Sequence, residues 1–600
     1  IDEFQKAEFD YVICGGGTAG MTLAARLSEN ENVTVGVLEA GKHRPNDPNV
    51  DTPGALFAML GNPEYDWNWK SVPQKANRGI VHHIPRGKLL GGSSGTNYMM
   101  YVRGSLRDFD DWAELAGDAG WDSSHMMKYM RKHQTLEPIH DAITDRTNLA
   151  FAVENHGSDG PVRTSFNDTP SLPIEIAIID AADEVTGYAK AKDPWSGDHI
   201  GFFNTLGSVV RSGPDKGKRS YAGRGYLNAA KGRSNLKILC EAVVNKINLE
   251  GEKATGVNFT HDGKTYDVKI KREVLVCGGV IQSPQILELS GIGDPEVLRA
   301  AGVDVKVENK AIGNNYQDHS ITLMGYKLKP DVMSVDSLFK PDNMAGAMKA
   351  YAETQSGPLS SISSTQGFLS YNICVDKSEV QATVDSIKQS IKDAPTEFQK
   401  KQLQQIIIHL EDSKSANLQM VVIPASMNPD AAGDQSKIVT PDPNGPDGIT
   451  LAICLQYPVS RGSIHIKSAD PKDSPVIDPA YLKHSADAAV LAGGMKLFDR
   501  VTKSSKLAPM IEKRYCPEPD KDLQDLRVGE AEVYNAVFGE YHSCGSVAMG
   551  DALDSRLKVK GVKSVRVVDA SIFPNNVSGN ICSSVYSLAE KAADLIKEDW

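Results

Sequence analysis

Residues 9–20 read FDYVICGGGTAG, and this stretch decides the fold. Its first six residues form an apolar run with the length and character of a buried parallel strand. Gly15, Gly17 and Gly20 then have the G-x-G-x-x-G spacing of a dinucleotide-binding turn, and the helical stretch Met21–Asn30 follows. In that motif the first glycine makes a tight turn, the second lets backbone approach a pyrophosphate, and the third lets helix and strand pack closely. The stretch therefore predicts a Rossmann-like βαβ unit.

A second strand-like run, VTVGVL (33–38), leads directly to Glu39. An acid about 20 residues beyond the glycines is where the motif holds ribose hydroxyls. The helix N-terminus offers free N–H groups and the positive end of its dipole to a pyrophosphate. We therefore predict cofactor contacts at Thr18, Ala19, Glu39 and Ala40 as well as at the glycines. The acid disfavours NADP, whereas FAD and NAD are not separated by this motif.

Composition limits the class of protein. The 600 residues carry 65 Lys plus Arg against 77 Asp plus Glu, a net charge of −12, with 40% hydrophobic and 24% charged residues. This is the composition of a soluble globular protein. The acidic balance argues against a nucleic-acid or anionic-membrane partner, and no run approaches the ~20 apolar residues of a membrane span. A soluble enzyme or a large binding protein remains.

Cysteines and glycosylation sequons bear on the compartment. The eight cysteines are scattered singly without a CxxC pair, so we predict no metal site, and spacing assigns no disulfide. Asn-x-Ser/Thr sequons occur at Asn32, Asn167, Asn258 and Asn576. They favour a secreted glycoprotein, with Asn32 and Asn576 expected to be unused because they lie in the predicted cofactor domain.

The rest of the chain alternates strand and helix signals. Strand-like runs return between about 230 and 280, followed by an apolar helix at 284–289. Residues 376–414 predict one or two amphipathic helices divided at Pro395, and residues 428–447 predict a long loop. The C-terminus ends in the strand-like VRVVDAS and the helix Val585–Lys597. Strand–helix patterns at both ends predict one discontinuous α/β domain with a second domain threaded through it.

Six further segments carry a family resemblance. GKLLGGSSGTNYMMYVRG (87–104) and GVIQSPQILELSGIG (279–293) resemble the two signatures of the glucose-methanol-choline (GMC) flavoprotein oxidoreductases. The other four resemble later blocks of that family: IGNNYQDHS, SRGSIHIKSADPKDSPVIDPAYL (460–482), YHSCGSVAMG (541–550) and VRVVDASIFPNNVSGN (565–580). They occur in the family's order from end to end. Thr96 and Val280 depart from the two signatures.

The resemblance implies a fold and its division into domains. It implies a discontinuous Rossmann-like FAD-binding domain, α/β in class, with a second α+β substrate-binding domain built on an antiparallel sheet. We assign residues 1–160, 220–315 and 545–600 to the FAD-binding domain. Residues 161–219 and 316–544 are assigned to the substrate-binding domain.

The resemblance also implies how FAD is held. Gly92, Ser93 and Asn97 would run beside the flavin, Val244 beside the adenine, and Asp569 and Ala570 along the pyrophosphate and ribityl chain. Some members attach FAD through a His immediately before the residue that matches Asn97. Thr96 stands there in this chain, so we predict noncovalent FAD.

Alcohol oxidation needs a base for the hydroxyl proton and an acceptor for the hydride, which FAD supplies at N5. His542 matches the family's catalytic His, and histidine suits a base near neutral pH. The family's second catalytic position falls on Asn580, which cannot take a proton and would hold the substrate oxygen. The alternatives are an ordinary loop histidine and a turn-forming asparagine.

Four neighbouring residues bear on the substrate. In glucose-oxidising members an Arg and an Asn precede the catalytic His at positions occupied here by Phe538 and Glu540, so glucose is disfavoured. Tyr98 and Tyr541 resemble the aromatic residues of aryl-alcohol oxidases and would clamp a flat ring; alternatively they pack against flavin or core. Glu540 either faces solvent or engages a polar or cationic substituent. We predict oxidation of a primary alcohol on an aromatic or unsaturated ring to the aldehyde.

Several alternatives stay open at this point. Oxygen, giving hydrogen peroxide, or another acceptor would reoxidise the flavin, and the chain would be a monomer or a homodimer. A non-redox lyase or cyclase that retains FAD is the main competing hypothesis. A sugar oxidase or dehydrogenase, and a binding protein with a vestigial flavin site, are the others.

Overall fold

The computed structural model describes residues 1–600, and its first sheet is built around the glycine-rich stretch. Five parallel strands lie in this spatial order: Leu236–Cys240, Val35–Glu39, Phe9–Cys14, Lys264–Val276 and Val565–Val567. The strand order reverses beside Phe9–Cys14, and in open α/β sheets a ligand binds in the crevice at that reversal. The predicted Rossmann-like fold is confirmed.

Local boundaries differ slightly from the sequence predictions. The helix after the glycines is Thr18–Leu27, not 21–30, because it begins directly after Gly17. The second strand is Val35–Glu39. The C-terminal helix is longer than predicted, Cys582–Asp599, and it packs on Thr18–Leu27. The two helices therefore cover the same face of the sheet.

An antiparallel meander extends this sheet. Ala242–Glu250 pairs with Lys253–His261, which pairs in turn with the first half of Lys264–Val276. Immediately after that long strand, the helix Gly279–Leu289 begins. Its start therefore lies at the same edge of the sheet as the glycine turn.

The second sheet is antiparallel throughout. Its strands lie in the order Ile511–Cys516, Ser320–Leu328, Gly448–Leu455, Leu418–Ile423, Thr365–Leu369 and Gly201–Asn204, and Phe538–Gly539 pairs with Ser320–Leu328. The helix Ser485–Thr502 packs on one face. Alternate residues such as Ile321 and Leu323 face the other way and line a cavity. The sheet thus separates a helix-covered core from a ligand-facing side.

Two amphipathic helices follow one another in the chain, and the second joins the two halves of the molecule. They are Lys377–Asp393 and Glu397–Glu411, which confirms the predicted pair. His409 Nε2 lies 2.8 Å from Asp111 Oδ2 on the helix Leu106–Ala116, and both residues are buried. The second helix is thus an internal bridge.

The remaining elements are short or peripheral. The other helices are Asp2–Lys6, Pro48–Asp51, Ser123–Lys132, Pro173–Thr186, Ala222–Ala229, Pro295–Ala300, Pro341–Thr354 and Leu526–Asn535. The other strands pair in twos: Trp69–Lys70 with His83–Ile84, Met100–Tyr101 with Leu206–Gly207, Gln134–Leu136 with Val162–Thr164, Ile292–Gly293 with Val307–Glu308, and Ser463–His465 with Val476–Asp478. No helix is both long enough and apolar enough to cross a membrane. All eight cysteines are free.

Candidate active site

A cavity of about 940 Å³ lies between the two sheets and takes residues from both. Most of the residues that the sequence singles out line it. They are Gly15, Gly17, Thr18, Ala19, Glu39, Ala40, Gly92, Ser93, Asn97, Tyr98, Val244, Phe538, Glu540, Tyr541, His542, Asp569, Ala570 and Asn580. Gly20 is the exception. The structure therefore brings segments from the whole length of the chain to one place.

The glycine turn forms a close backbone cradle. Gly15 has φ +113°, and a Cβ there would lie 2.3 Å from the Cys277 carbonyl oxygen. Across the cavity, a Cβ on Gly92 would lie 2.8 Å from the Gly17 Cα. Gly20 lies behind this cradle, where a Cβ would meet the Gly15 oxygen at 1.9 Å. Gly20 therefore serves helix–strand packing, and its contact with a cofactor stays a prediction.

Glu39 lies at the end of its strand, as the motif requires. Its carboxylate accepts hydrogen bonds from the Gly16 N–H at 2.8 Å and from the Gly41 N–H at 2.7 Å. Burial raises the pKa of Glu39 to about 7, and the two backbone donors only partly oppose this. The side chain is fixed at the cavity wall with further acceptor capacity for a ribose hydroxyl.

Asp569 organises the opposite wall of the cradle. Its carboxylate accepts from the Gly279 N–H at 2.9 Å and from the Ser283 hydroxyl at 2.6 Å. Burial raises its pKa, while these partners lower it. Asp569 thereby pins the start of the helix Gly279–Leu289 beside the glycine turn. The cradle, the acid at the strand end and the size of the cavity fit an extended FAD.

His542 and Asn580 are adjacent, as a catalytic pair requires. Asn580 Nδ2 lies 3.1 Å from His542 Nε2, and both residues line the cavity. His542 is 9% exposed, which leaves an opening toward the cavity only. Its backbone carbonyl accepts from Asn576 Nδ2 at 3.2 Å. An imidazole nitrogen and an amide are thus both presented to a ligand at this end of the cavity.

Glu540 and His319 complete a compact cluster on the far side of the ring. His319 Nδ1 lies 3.0 Å from His542 Nδ1, and Glu540 Oε2 lies 3.4 Å from His542 Nδ1 and 3.5 Å from His319 Nδ1. Burial opposes ionisation of Glu540, but the two histidines outweigh it and lower its pKa to about 2. Glu540 is buried, so its interpretation as a solvent-facing residue is wrong.

The backbone around His542 is held in an unusual conformation. Tyr541 has φ +67°, in the left-handed region that bulky residues rarely occupy. Arg86 donates a hydrogen bond to the Tyr541 carbonyl, and the Tyr541 hydroxyl donates to Gln435 Oε1 at 2.6 Å. These contacts fix the residue before His542 and aim the Tyr541 ring along the cavity.

The two predicted tyrosines face each other. The rings of Tyr98 and Tyr541 are parallel to within 1°, with centroids 5.9 Å apart. The Tyr98 hydroxyl has no hydrogen-bond partner, and burial raises the pKa of Tyr98 to about 12. Phe538 packs in an apolar cluster with Ile321 and Leu323 and offers no donor. This end of the cavity is therefore aromatic and apolar.

Sequence reasoning gave no role to His319 or Arg86. His319 belongs to the Gln317-Asp318-His319 segment, which resembles a block of the family, and its position there could have marked it as a candidate site residue. It lies 223 residues from His542 in the chain, and only the fold shows that the two rings meet. Arg86 had no comparable signal, because its contact is to a backbone carbonyl.

Comparison with known proteins agrees with this geometry. Profiles described as GMC oxidoreductase match residues 9–321 and 458–589. The dehydrogenase citC of Monascus ruber is 39% identical over 614 residues, covering 100% of this chain and 97% of that protein. The protein Mala s 12 of Malassezia sympodialis, from the GMC oxidoreductase family, is 33% identical, with 98% and 92% covered.

Solved structures share the whole fold. An FAD-dependent oxidoreductase from Chaetomium thermophilum superposes with a TM-score of 0.88 at 25% identity, with 99% of each chain covered. A single-residue variant of formate oxidase from Aspergillus oryzae gives 0.84 at 26% identity over 99% of each chain. A fungal aryl-alcohol oxidase gives 0.85 at 21% identity over 99% of each chain. The chain belongs to the GMC oxidoreductase family and is an FAD-dependent oxidoreductase.

Proposed function

We propose that this enzyme oxidises a primary alcohol carried on an aromatic or other unsaturated ring to the corresponding aldehyde. The observation that carries the proposal is the cavity end at which His542 and Asn580 meet the parallel rings of Tyr98 and Tyr541. A flat ring gains contact area and favourable edge or offset geometry against aromatic side chains.

The wall opposite the cofactor cradle supports an apolar substrate. Strand residues that alternate toward the cavity are apolar, and they lie close to Phe538. They are Ile321, Leu323, Val421, Ile423 and Ala452. Such a wall cannot satisfy the many hydroxyls of a sugar, and leaving them unpaired costs roughly 1–3 kcal/mol each. This favours the ring alcohol over glucose.

The chain's own groups would divide the work as follows. FAD bound in the cradle would supply the acceptor for the hydride that leaves the carbinol carbon. His542 Nε2 takes the hydroxyl proton, and Asn580 orients the alcohol oxygen beside that nitrogen. The Glu540 carboxylate, 3.4 Å from His542 Nδ1, offsets the positive charge that the ring gains. Tyr98 and Tyr541 hold the ring of the substrate.

We also propose that FAD is held without a covalent bond. Thr96 occupies the position at which some relatives attach the cofactor through a histidine, and the cavity wall has no histidine other than His542. Acid precipitation of the purified enzyme is expected to leave the yellow colour in the supernatant. Colour retained in the protein pellet would contradict this part of the proposal.

The substrate proposal is tested on the purified, FAD-loaded enzyme without oxygen. Addition of 4-methoxybenzyl alcohol is expected to bleach the flavin absorbance, and the product is expected to be the aldehyde. Recovery of the colour within seconds of admitting air would assign oxygen as the acceptor, and slow recovery would assign another acceptor. An absorbance that no ring alcohol bleaches would contradict the proposal and favour a non-redox reaction on this scaffold.

A further inference from the structure

The hydrogen bonds around His542 determine which of its ring nitrogens carries the proton. A neutral imidazole donates from one nitrogen and accepts at the other, and only the accepting nitrogen can act as a base. A side-chain amide can flip and exchange its oxygen and nitrogen, so a single amide contact does not show which partner is the donor. A chain of amides that starts at backbone groups does show the direction of each hydrogen bond, because a backbone N–H is always a donor and a backbone carbonyl always an acceptor.

Such a chain starts at Gln456. The Gly579 N–H donates to Gln456 Oε1 at 2.5 Å, and Gln456 Nε2 donates to the Cys454 carbonyl at 3.2 Å. These two backbone partners fix the orientation of the Gln456 amide. Its Nε2 then also lies 3.5 Å from Gln419 Oε1. The acceptor end of Gln419 therefore faces Gln456, and its donor end faces away.

The donor end of Gln419 sets Asn580. Gln419 Nε2 lies 3.2 Å from Asn580 Oδ1 and 2.8 Å from Gln366 Oε1. With its oxygen engaged in this way, Asn580 turns its Nδ2 donor to His542 Nε2 at 3.1 Å. His542 Nε2 must then be the acceptor, and the proton of the neutral ring lies on Nδ1.

The other side of the ring is consistent with that assignment. A proton on His542 Nδ1 can be donated to His319 Nδ1 at 3.0 Å and is also close to Glu540 Oε2 at 3.4 Å. Neutral His319 then carries its own proton on Nε2. The buried Glu540 carboxyl lies on this side of the ring and favours a proton on the nitrogen that faces it. The amide chain therefore selects the tautomer, and the His319 side of the ring is compatible with it.

We propose that Gln456, Gln419 and Glu540 are positioning residues that hold His542 with Nδ1 protonated and Nε2 unprotonated, the state in which Nε2 can act as the base. The amide chain sets the tautomer through Asn580, while His319 Nδ1 accepts the Nδ1 proton and Glu540 Oε2 lies close to it. Gln419 and Gln456 are completely buried and do not line the cavity, so they act only through Asn580. The proposal rests on the proposed function and adds how its base is prepared.

A metal ion is the main competing interpretation of the cluster. The ligand atoms of His319, Glu540 and His542 lie within 4.8 Å of one another, close enough to hold one ion. An ion on His542 Nδ1 would leave the proton of the neutral ring on Nε2. That nitrogen would then compete with the Asn580 donor and could not act as the base. Metal binding and the proposed tautomer therefore exclude each other.

The resting tautomer is measured directly on the FAD-loaded wild-type enzyme. The protein is labelled with ¹⁵N-histidine, and the His542 signals are identified by their loss in His542→Gln. Correlation of the ring nitrogens at neutral pH is expected to show Nδ1 protonated and Nε2 unprotonated. A proton on Nε2, a doubly protonated ring, or a stoichiometric metal ion in the purified enzyme would overturn the proposal.

The amide chain is tested with Gln419→Met, which keeps the size of the side chain and removes the donor to Asn580. The rate of anaerobic flavin reduction by 4-methoxybenzyl alcohol is expected to fall about tenfold or more, with the half-saturating alcohol concentration unchanged. Gln405→Met is the matched control, since Gln405 is equally buried but bonds to Asp111 and Glu114. It is expected to leave the rate unchanged.

The outcomes separate the two proposals. An unchanged rate in Gln419→Met, or a loss confined to alcohol affinity, would overturn the positioning role. Equal losses in Gln419→Met and Gln405→Met would also overturn it, because they would report general destabilisation. If no alcohol reduces the wild-type flavin, the proposed function fails, and the nitrogen spectrum still decides the tautomer.

Discussion

At the scale of single residues, three acidic side chains in the cavity wall show how strongly the local surroundings set the pKa of a buried group. Glu39, Asp569 and Glu540 are all buried carboxyl groups, yet their surroundings act on them differently. Burial dominates at Glu39 and Asp569 and raises their pKa, whereas two histidines dominate at Glu540 and lower its pKa. The first two face the backbone donors of the cofactor cradle, and the third faces His542, the proposed base.

Glu39 makes stability depend on pH in the FAD-free protein. Its pKa is about 7 when folded, against 4.5 ordinarily, so the folded state holds a proton that the unfolded state releases in this window. Stability therefore falls as pH rises from 4.5 to about 7, by up to about 3 kcal/mol. Glu39→Gln removes this titration.

Urea unfolding of the FAD-free wild type and of Glu39→Gln at several pH values checks this prediction. The variant is expected to gain stability relative to wild type with rising pH across that window. A difference between the two proteins that stays constant with pH would show that the Glu39 carboxyl is not perturbed.

Tyr98 separates ring contact from hydrogen bonding. Its hydroxyl has no partner, so Tyr98→Phe is expected to leave the affinity for 4-methoxybenzyl alcohol nearly unchanged. Tyr98→Ala removes the ring that stacks parallel to Tyr541 and is expected to weaken binding by about 1 kcal/mol or more, or at least about fivefold. Half-saturating concentrations for flavin reduction give both values. Equal affinity in both variants would remove Tyr98 from the substrate site.

At the scale of elements, the tight contact between the strand Phe9–Cys14 and the helix Thr18–Leu27 positions the cofactor cradle. A Cβ on Gly20 would lie 1.9 Å from the Gly15 oxygen and 3.2 Å from Ile13 Cγ2. Gly20→Ala is therefore expected to push the helix from the sheet, to cost about 1–3 kcal/mol, and to abolish tight FAD binding. Thermal unfolding and FAD titration measure the two effects.

Gly346 provides the matched control. It lies inside the helix Pro341–Thr354, and a Cβ there would meet nothing within 4 Å. Gly346→Ala is expected to keep FAD binding and to raise stability by about 0.5–1 kcal/mol. Similar FAD loss in both variants would contradict the packing role of Gly20.

The elements also show how far the sequence predicts this molecule. The glycine turn, the acid at Glu39 and the paired helices around Pro395 are local patterns, so they were predictable to within a few residues. The amide chain was not, because Gln419 and Asn580 are 161 residues apart and meet only through the second sheet. The orientation of Glu540 likewise depends on His319, which a distant strand brings into place. The domain bounds and the roles of the site residues remain predictions.

At the scale of the whole molecule, the two halves enclose the cavity and are joined behind it. His409 bridges them, with Nε2 2.8 Å from Asp111 Oδ2 and Nδ1 2.5 Å from Ser415 Oγ. His409→Ala removes one partner of a buried carboxylate, although Arg107 also contacts Asp111 at 2.7 Å. Removing such a partner is expected to cost about 2–3 kcal/mol.

Denaturant unfolding of His409→Ala checks this prediction, with His140→Ala at an exposed position as its control. The control is expected to stay within about 0.5 kcal/mol of wild type. A loss in the bridging variant no larger than in the control would show that the bridge does not contribute to joining the halves.

The central claim is that this cavity carries out alcohol oxidation with His542 as the base. It is tested most directly by anaerobic flavin reduction with 4-methoxybenzyl alcohol and its α-deuterated form, in wild type and in His542→Gln. The flavin of the wild-type enzyme is expected to bleach, several-fold more slowly with the deuterated alcohol. In His542→Gln the rate of bleaching is expected to be at least about 100-fold lower. Flavin that stays oxidised, or a variant as fast as wild type, would contradict the account.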